Sequence, residues 1–248
     1  MVGVPLLLTA PLLPRLTDSE RKHVMALIER IEDSGAIGDE GYRRIRTDII
    51  FCRLRPGQKL KLDALRAAYG LSVGTLREIL SRLSSEGLVL AEGRRGFEVA
   101  PASSENLKEL ANLRLLLECH ALDVSFSNAD VEWEGRVVAA HHKLSATERL
   151  MGANIGEPER WKRYDSEFHQ ALISNCGSRE LMETHASVFD KYFRYQMLGL
   201  NYRGEEPARQ HQMLLDCALQ RNAGEAKTVL IAHVTNCVEH ALTTGTLT

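Results

Sequence analysis

Four residues in the second half of the chain have the types and spacing to hold a metal ion. Asp165 and His169 lie four positions apart, which on a helix stacks both side chains on one face, where a carboxylate and an imidazole can close on one cation. His211 and His233 flank the turn-forming stretch Arg221-Asn222-Ala223-Gly224, each eleven residues from Asn222. If the helices on either side of that turn run antiparallel, the two imidazoles sit at the same height. A straight helix would hold them about 33 Å apart at roughly 1.5 Å per residue. Three imidazoles and a carboxylate converging between helices are a common way to build a divalent site. The spacing is also easily met by chance, because the chain has nine histidines and helical histidines are mostly surface groups or satisfied core residues. His23, His120, His141, His142, His185 and His240 read that way. A metal-dependent hydrolase is one use of an open Asp/His site, yet no general-base glutamate or nucleophile stands at a motif spacing.

The elements that must position these residues are helical. From about Ser103 onward there is no alternating strand pattern, and six segments are predicted as helices: Glu105 to Ser125, Ala129 to Arg149, Glu157 to Cys176, Ser178 to Leu198, Glu206 to Gln220 and Ala223 to Thr243. Gly, Asn and Ser signals such as Asn175-Cys176-Gly177-Ser178 separate them, and an antiparallel bundle is the expected outcome.

The stretch from Leu62 to Ala100 has a different order. A helix over Leu62 to Tyr69 ends at Gly70, placed for the left-handed residue that stops a helix. Ser72 reads as the N-cap of a second helix, in which Leu76, Ile79, Leu80 and Leu83 recur at helical spacing and leave Thr75, Arg77 and Arg82 off the apolar stripe. After Gly87, the runs Val89 to Ala91 and Phe97 to Val99 are joined by Glu92-Gly93-Arg94-Arg95-Gly96, a hairpin loop tipped by two arginines. This is the order of a winged helix-turn-helix, whose second helix fits the major groove while the basic wing reaches phosphates or the minor groove.

Charge supports a polyanion partner for this module alone. From Gly41 to Ala100, twelve Lys or Arg face six acids, a net +6, whereas the whole chain is −2, leaving −8 on the remainder. A nearly neutral protein thus conceals a basic module beside acidic ones.

At 248 residues, 44% hydrophobic and 26% charged, the chain suits two domains with full cores and a mainly α fold. The apolar start, Val2 to Leu13, is broken by Pro5 and Pro11 and lacks a basic n-region, so neither a secretory signal nor a membrane span is expected. Cys52, Cys119, Cys176, Cys217 and Cys237 are scattered and without paired spacing, as suits reduced thiols in a reducing compartment, and a cytoplasmic protein is expected. Thr17 to Ser34 is predicted as a separate amphipathic helix, with a Thr17/Glu20 capping box and a stripe of Val24, Leu27, Ile28 and Ile31. The division expected is an extension over 1–40, a winged helix-turn-helix domain over 41–101 and a helical bundle over 103–248.

Tyr42-Arg43-Arg44-Ile45, Leu54-Arg55-Pro56-Gly57, Thr75-Leu76-Arg77-Glu78-Ile79-Leu80-Ser81-Arg82-Leu83 and Glu86-Gly87-Leu88-Val89 resemble the DNA-binding domain of GntR-type bacterial transcription regulators. The resemblance implies DNA contacts at Ser72, Thr75, Arg77 and the wing residues Arg94, Arg95 and Gly96. With Arg82 and Arg43 these form the expected contact set. Val73 and Asp63 stand where family members often present arginines, which implies an operator different from the common one. The helical half resembles the FCD-type effector domain of the FadR branch, whose members often bind a divalent metal through an Asp-x3-His pair and two later histidines. Asp165, His169, His211 and His233 match that pattern, implying a Zn, Ni or Mn-like ion. A small organic acid is the effector so implied, with Arg114 matching an arginine used near the ligand; an Arg114–Glu118 pair on the helix surface is the alternative. The implied whole is a sequence-specific, homodimeric regulator on double-stranded operator DNA, not an enzyme. A fainter similarity, in Gly70 to Glu78 and around Trp133, points to carbon-starvation regulators and to a dicarboxylate such as glutarate.

Overall fold

The computed structural model describes residues 36–91, 93, 96–198 and 204–243. The expected helix over Thr17 to Ser34, and the wing arginines Arg94 and Arg95, lie outside the described residues. Within them the chain is mainly helical, with helix α1 over 36–50 followed by a small winged module and then a helical bundle.

In the module, α2 (Leu62–Tyr69) ends where Gly70 takes φ 70°, a left-handed conformation that a side chain would disfavour. Ser72 then caps α3 (Val73–Ser85), its Oγ accepting from the Thr75 amide at 3.1 Å. Leu76, Ile79, Leu80 and Leu83 bury one face of α3 against Ile45, Ile49, Leu60, Leu65, Leu71, Leu88 and Val99. Strands β2 (Val89–Ala91) and β3 (Phe97–Val99) pair antiparallel with Leu90 opposite Glu98. The sheet has a third strand that the sequence reading lacked. This is β1 (Lys59–Leu60), which lies on the other side of β3 in the order β1-β3-β2. Two residues carry no readable alternation. The strand is set instead by Gly57 at φ 73°, whose amide donates to the Val99 carbonyl at 3.0 Å. Replacing Leu80, which is fully buried, by alanine is expected to cost about 2–5 kcal/mol, read as a lowered midpoint in urea denaturation.

The bundle comprises α4 (Ser104–Ser127), α5 (Val131–Gly152), α6 (Pro158–Ile173), α7 (Arg179–Leu198), α8 (Glu205–Leu219) and α9 (Ala223–Thr243). Ser103 and Asp130 cap α4 and α5 through the Asn106 and Trp133 amides, and Pro158 opens α6, where its missing N–H costs nothing. One core joins Leu122, Phe126, Trp133, Leu144, Phe168, Leu172, Leu214, Leu230 and Val234 from most of these helices. Helix α4 packs on α9, α7 and α6, while α5 packs on α6 and α8. Arg221, at φ 56°, makes the turn that folds α9 back on α8.

Helix α7 also forms the joint between module and bundle. Ile50 of α1 is buried with Phe189, Phe193 and Met197, and Phe51 meets Phe193 edge-on at 5.2 Å. Around this apolar patch Arg46 bridges Glu86 at 2.9 Å and Asp190 at 2.7 Å, and Arg53 joins Asp48 to Glu159.

Candidate functional site

The outer face of α3 carries Thr75, Arg77 and Arg82 off the buried stripe. Arg77 is exposed and makes no ion pair among the described residues, so its planar fork is available to a base edge or phosphate. Thr75 is half-buried, its Oγ1 2.9 Å from the Ser72 hydroxyl, so Ser72 fixes the start of the helix and orients Thr75 together. Arg82 and Arg43 are engaged: Arg82 lies 3.7 Å over the Tyr42 ring and 3.3 Å from Asp39, and Arg43 pairs with Glu40 at 3.0 Å. These exposed pairs are worth less than about 1 kcal/mol and yield readily to phosphate. Gly96, at φ 95°, closes the described part of the wing turn. Asp63 stays in the first turn of α2, where an acid complements the helix dipole.

In the bundle, one ligand atom each from Asp165, His169, His211 and His233 lies within 4.8 Å of the others, and all four residues are buried. Asp165 and His169 come from one face of α6, His211 from α8 and His233 from α9. Because α8 and α9 are antiparallel, the His211 and His233 ring centroids are 4.7 Å apart. His169 lies 5.3 Å from His233 and 5.7 Å from His211, centroid to centroid.

Residues around this cluster fix which nitrogen each ring offers. His211 Nδ1 is 2.7 Å from Glu148 Oε1 of α5, and His233 Nδ1 is 3.0 Å from Gln210 Oε1. His169 Nδ1 lies 3.3 Å from Glu118 Oε2 of α4, close but not hydrogen-bonded. Each Nδ1 thus faces an oxygen acceptor, leaving Nε2 for the centre, the arrangement by which carboxylates and amides orient metal-ligating histidines. His211 Nε2 is 3.2 Å from Asp165 Oδ1. His169 Nε2 and His211 Nε2 are buried without a hydrogen-bond partner, a costly state for polar atoms unless something else meets them. This donor set fits a borderline divalent cation.

Charge within the cluster is uneven. Burial opposes the charged form of Asp165, but Lys162 and the imidazoles of His211 and His169 hold its carboxyl well below the usual range. Burial, with His211 and His169 alongside, pushes His233 far down, and burial with Arg114 nearby lowers His169, so both are neutral at pH 7. Burial opposes the charged form of His211 too, but the carboxylates of Asp165 and Glu148 beside its two nitrogens outweigh that and move it upward. The lowered pair contributes stability above the ordinary imidazole pKa that is lost as pH falls towards their folded values. His211 contributes below its ordinary pKa and loses that as pH rises. With two groups against one, the metal-free protein is expected to become less stable between about pH 6.5 and pH 5. Urea midpoints in EDTA at both pH values check this, and a midpoint that rises on acidification would contradict it.

Arg114 is fully buried rather than at the helix surface. Its Nε and Nη2 donate to Glu118 at 2.6 and 3.4 Å, and its guanidinium sits 4.5 Å from the Phe189 ring centroid and 4.9 Å from that of Tyr192. Nη1 is buried without a hydrogen-bond partner. Sequence reasoning had Glu118 only as a surface partner of Arg114, missed Glu148 and Gln210, and read His185 and His141 as unconnected. His185 Nε2 is 2.7 Å from Glu118 Oε1, and His141 packs edge-on against Phe168 at 5.2 Å. Apart from the spacing of Arg114 and Glu118, these partners come from different helices, and no local signal announces them.

A basic winged helix-turn-helix joined to a helical bundle with a buried polar centre defines a class, that of two-domain DNA-binding regulators. Residues 39–99 match the bacterial regulatory proteins of the gntR family, and residues 109–236 match the FCD domain. The chain belongs to the GntR family of bacterial transcription regulators, in the group carrying an FCD domain, and it is a DNA-binding regulator rather than an enzyme. It is 36% identical over 202 residues to the HTH-type transcriptional regulator BphR of Paraburkholderia xenovorans, spanning 79% of this chain and 82% of that one. It is 31% identical over 201 residues to the HTH-type transcriptional repressor GlaR of Escherichia coli, spanning 79% and 91%. A solved GntR transcriptional regulator of Rhodococcus sp. RHA1 shares the fold, with a TM-score of 0.70 and 22% identity over 83% of this chain and 97% of that one. Among the described residues no helix is long and apolar enough to cross a membrane.

Proposed function

We propose that the protein is a cytoplasmic, homodimeric repressor whose hold on a near-palindromic operator is set by a small organic acid bound at a metal centre in its bundle. In this reading residues 41–101 form the DNA-binding domain and 103–248 the effector domain. The observation that carries it is the burial of Asp165, His169, His211 and His233 together, with an oxygen acceptor behind each ring. A divalent ion held there supplies Lewis-acidic positions that a carboxylate or hydroxy acid can fill. Arg114 Nη1, buried and lacking a hydrogen-bond partner, offers that acid a charged donor. Repression is the sign carried by the relative GlaR, and a dicarboxylate such as glutarate is the first acid to test.

The path from centre to DNA runs along α7. Phe189 packs on His169 at 5.9 Å and on the Arg114 guanidinium, and it is also buried with Ile50 of α1 at the joint. An acid that draws Arg114 or His169 therefore acts on a side chain shared with the DNA-binding module. It can shift the module's placement only by its differential affinity for two arrangements.

Selection from sheared genomic DNA at physiological salt tests the reading: enrichment of a short inverted repeat supports it, and uniform recovery overturns it. On the recovered operator, Arg77→Ala is expected to lose about 1–3 kcal/mol, roughly 5- to 150-fold in affinity, while binding to unrelated duplex weakens far less. Equal loss on both, read by fluorescence anisotropy, would place Arg77 on phosphate alone.

A further inference from the structure

A cleft of about 340 Å³ opens between α1 of the winged module and helices α6 and α7 of the bundle, outside the Asp/His cluster. We propose that it binds a small organic anion that joins a carboxylate to an aromatic or branched apolar body. The volume falls in the range of small-molecule sites. Its apolar wall is contributed from both sides of the joint, by Ile50 and Phe51 from the module and Phe193 from α7.

The cleft's lining is net positive, with Arg46, Lys162 and Arg163 against Glu167 and Asp190. Its two acids are already met, Asp190 by Arg46 at 2.7 Å and Glu167 by Lys143. Lys162 lines the cleft yet is only 7% exposed. Among the described residues its Nζ makes one ion-pair contact, to Asp165 Oδ2 at 3.5 Å, and it lies 4.1 Å from the Trp161 ring centroid. An ammonium has three protons, and a nine-tenths buried one with one long ion-pair contact and one ring keeps donor capacity beyond Asp165. Arg163 at the rim is exposed and has no ion pair among the described residues. The Ser166 hydroxyl accepts from Gln170 at 3.3 Å, which leaves its own proton to donate. A carboxylate seated here would meet Lys162, Arg163 and Ser166, with its apolar body against Phe51 and Phe193. Because both domains supply the wall, the occupant favours one placement of the module over others.

The inference does not require the metal centre, and the test separates the two. Full-length protein in EDTA is titrated with 4-fluorobenzoate, followed by ¹⁹F NMR, and with neutral 4-fluorobenzamide as the paired probe. The site predicts saturable binding of the acid with Kd near about 1 mM and about tenfold weaker binding of the amide. Arg163→Ala, at an exposed position, should weaken the acid several-fold, and Ser166→Phe, which fills the cleft, should abolish it. Absence of saturation by about 10 mM, equal binding of acid and amide, or indifference to Arg163→Ala would each overturn the proposal. Binding that appears only when divalent metal replaces EDTA would also overturn it, by assigning the acid to the metal centre. Failure of the protein to bind any metal would leave this site standing.

Discussion

Arg114→Met is expected to cost about 3–5 kcal/mol in metal-free protein, because it leaves Glu118 as a buried carboxylate without its guanidinium. Against a typical domain stability of about 5–15 kcal/mol, that is enough to bring the bundle close to unfolding. The buried position of both side chains and the 2.6 Å contact set the size of the effect; an exposed i, i+4 pair would give only a few tenths. Among the described residues Glu118 retains only the His185 ring at 2.7 Å as a close hydrogen-bond partner. Arg114→Met with Glu118→Gln should recover most of the stability, since no uncompensated charge remains. Urea denaturation of the two single variants and the double completes the cycle. Additive losses would mean that the pair is not the dominant interaction of either residue.

The second large effect concerns the metal. For a ligand binding only the folded state, free metal at about 100 times Kd adds about 2.7 kcal/mol, which raises Tm by roughly 5–10 °C in a protein of this size. His211→Ala should remove that shift entirely, because it deletes a ligand and strands Glu148 without its ring partner. Glu148→Gln keeps an oxygen for His211 Nδ1 but loses the carboxylate that strengthens the ring as a donor, and should weaken metal binding about 10–100-fold. Thermal melts across a zinc or manganese series read both. A Tm shift of wild-type size in His211→Ala would place the ion elsewhere.

How much was legible in the sequence varies with how local the cause is. The α2–turn–α3 unit could be read nearly residue by residue, because Gly70, Ser72 and the Leu76/Ile79/Leu80/Leu83 stripe each act within one or two turns. The six bundle helices could be placed for a similar reason, their breaks marked by local signals such as Asn175 to Ser178 and Arg221 to Gly224. Strand β1 could not, since its two residues pair only because the chain from Gly57 reaches β3. In the bundle, α4 and α5 carry Arg114, Glu118, His141 and Glu148 on buried faces, so their apolar stripes are weak and their polar core residues look like surface ones. Asp165 and His169 could be paired by helical spacing, and His211 and His233 by symmetry about a turn. Their partners Glu118, Glu148 and Gln210 come from other helices, where tertiary packing alone decides the neighbour.

The most direct test of the account measures operator affinity by fluorescence anisotropy, with protein loaded with zinc or manganese, with and without glutarate and related hydroxy or dicarboxylic acids. The account predicts that at least one such acid changes Kd by about 5–150-fold, and that EDTA or His211→Ala abolishes the change while leaving a folded protein that still binds the operator. Operator affinity indifferent to every acid, or altered equally with and without the metal ligands, would contradict it.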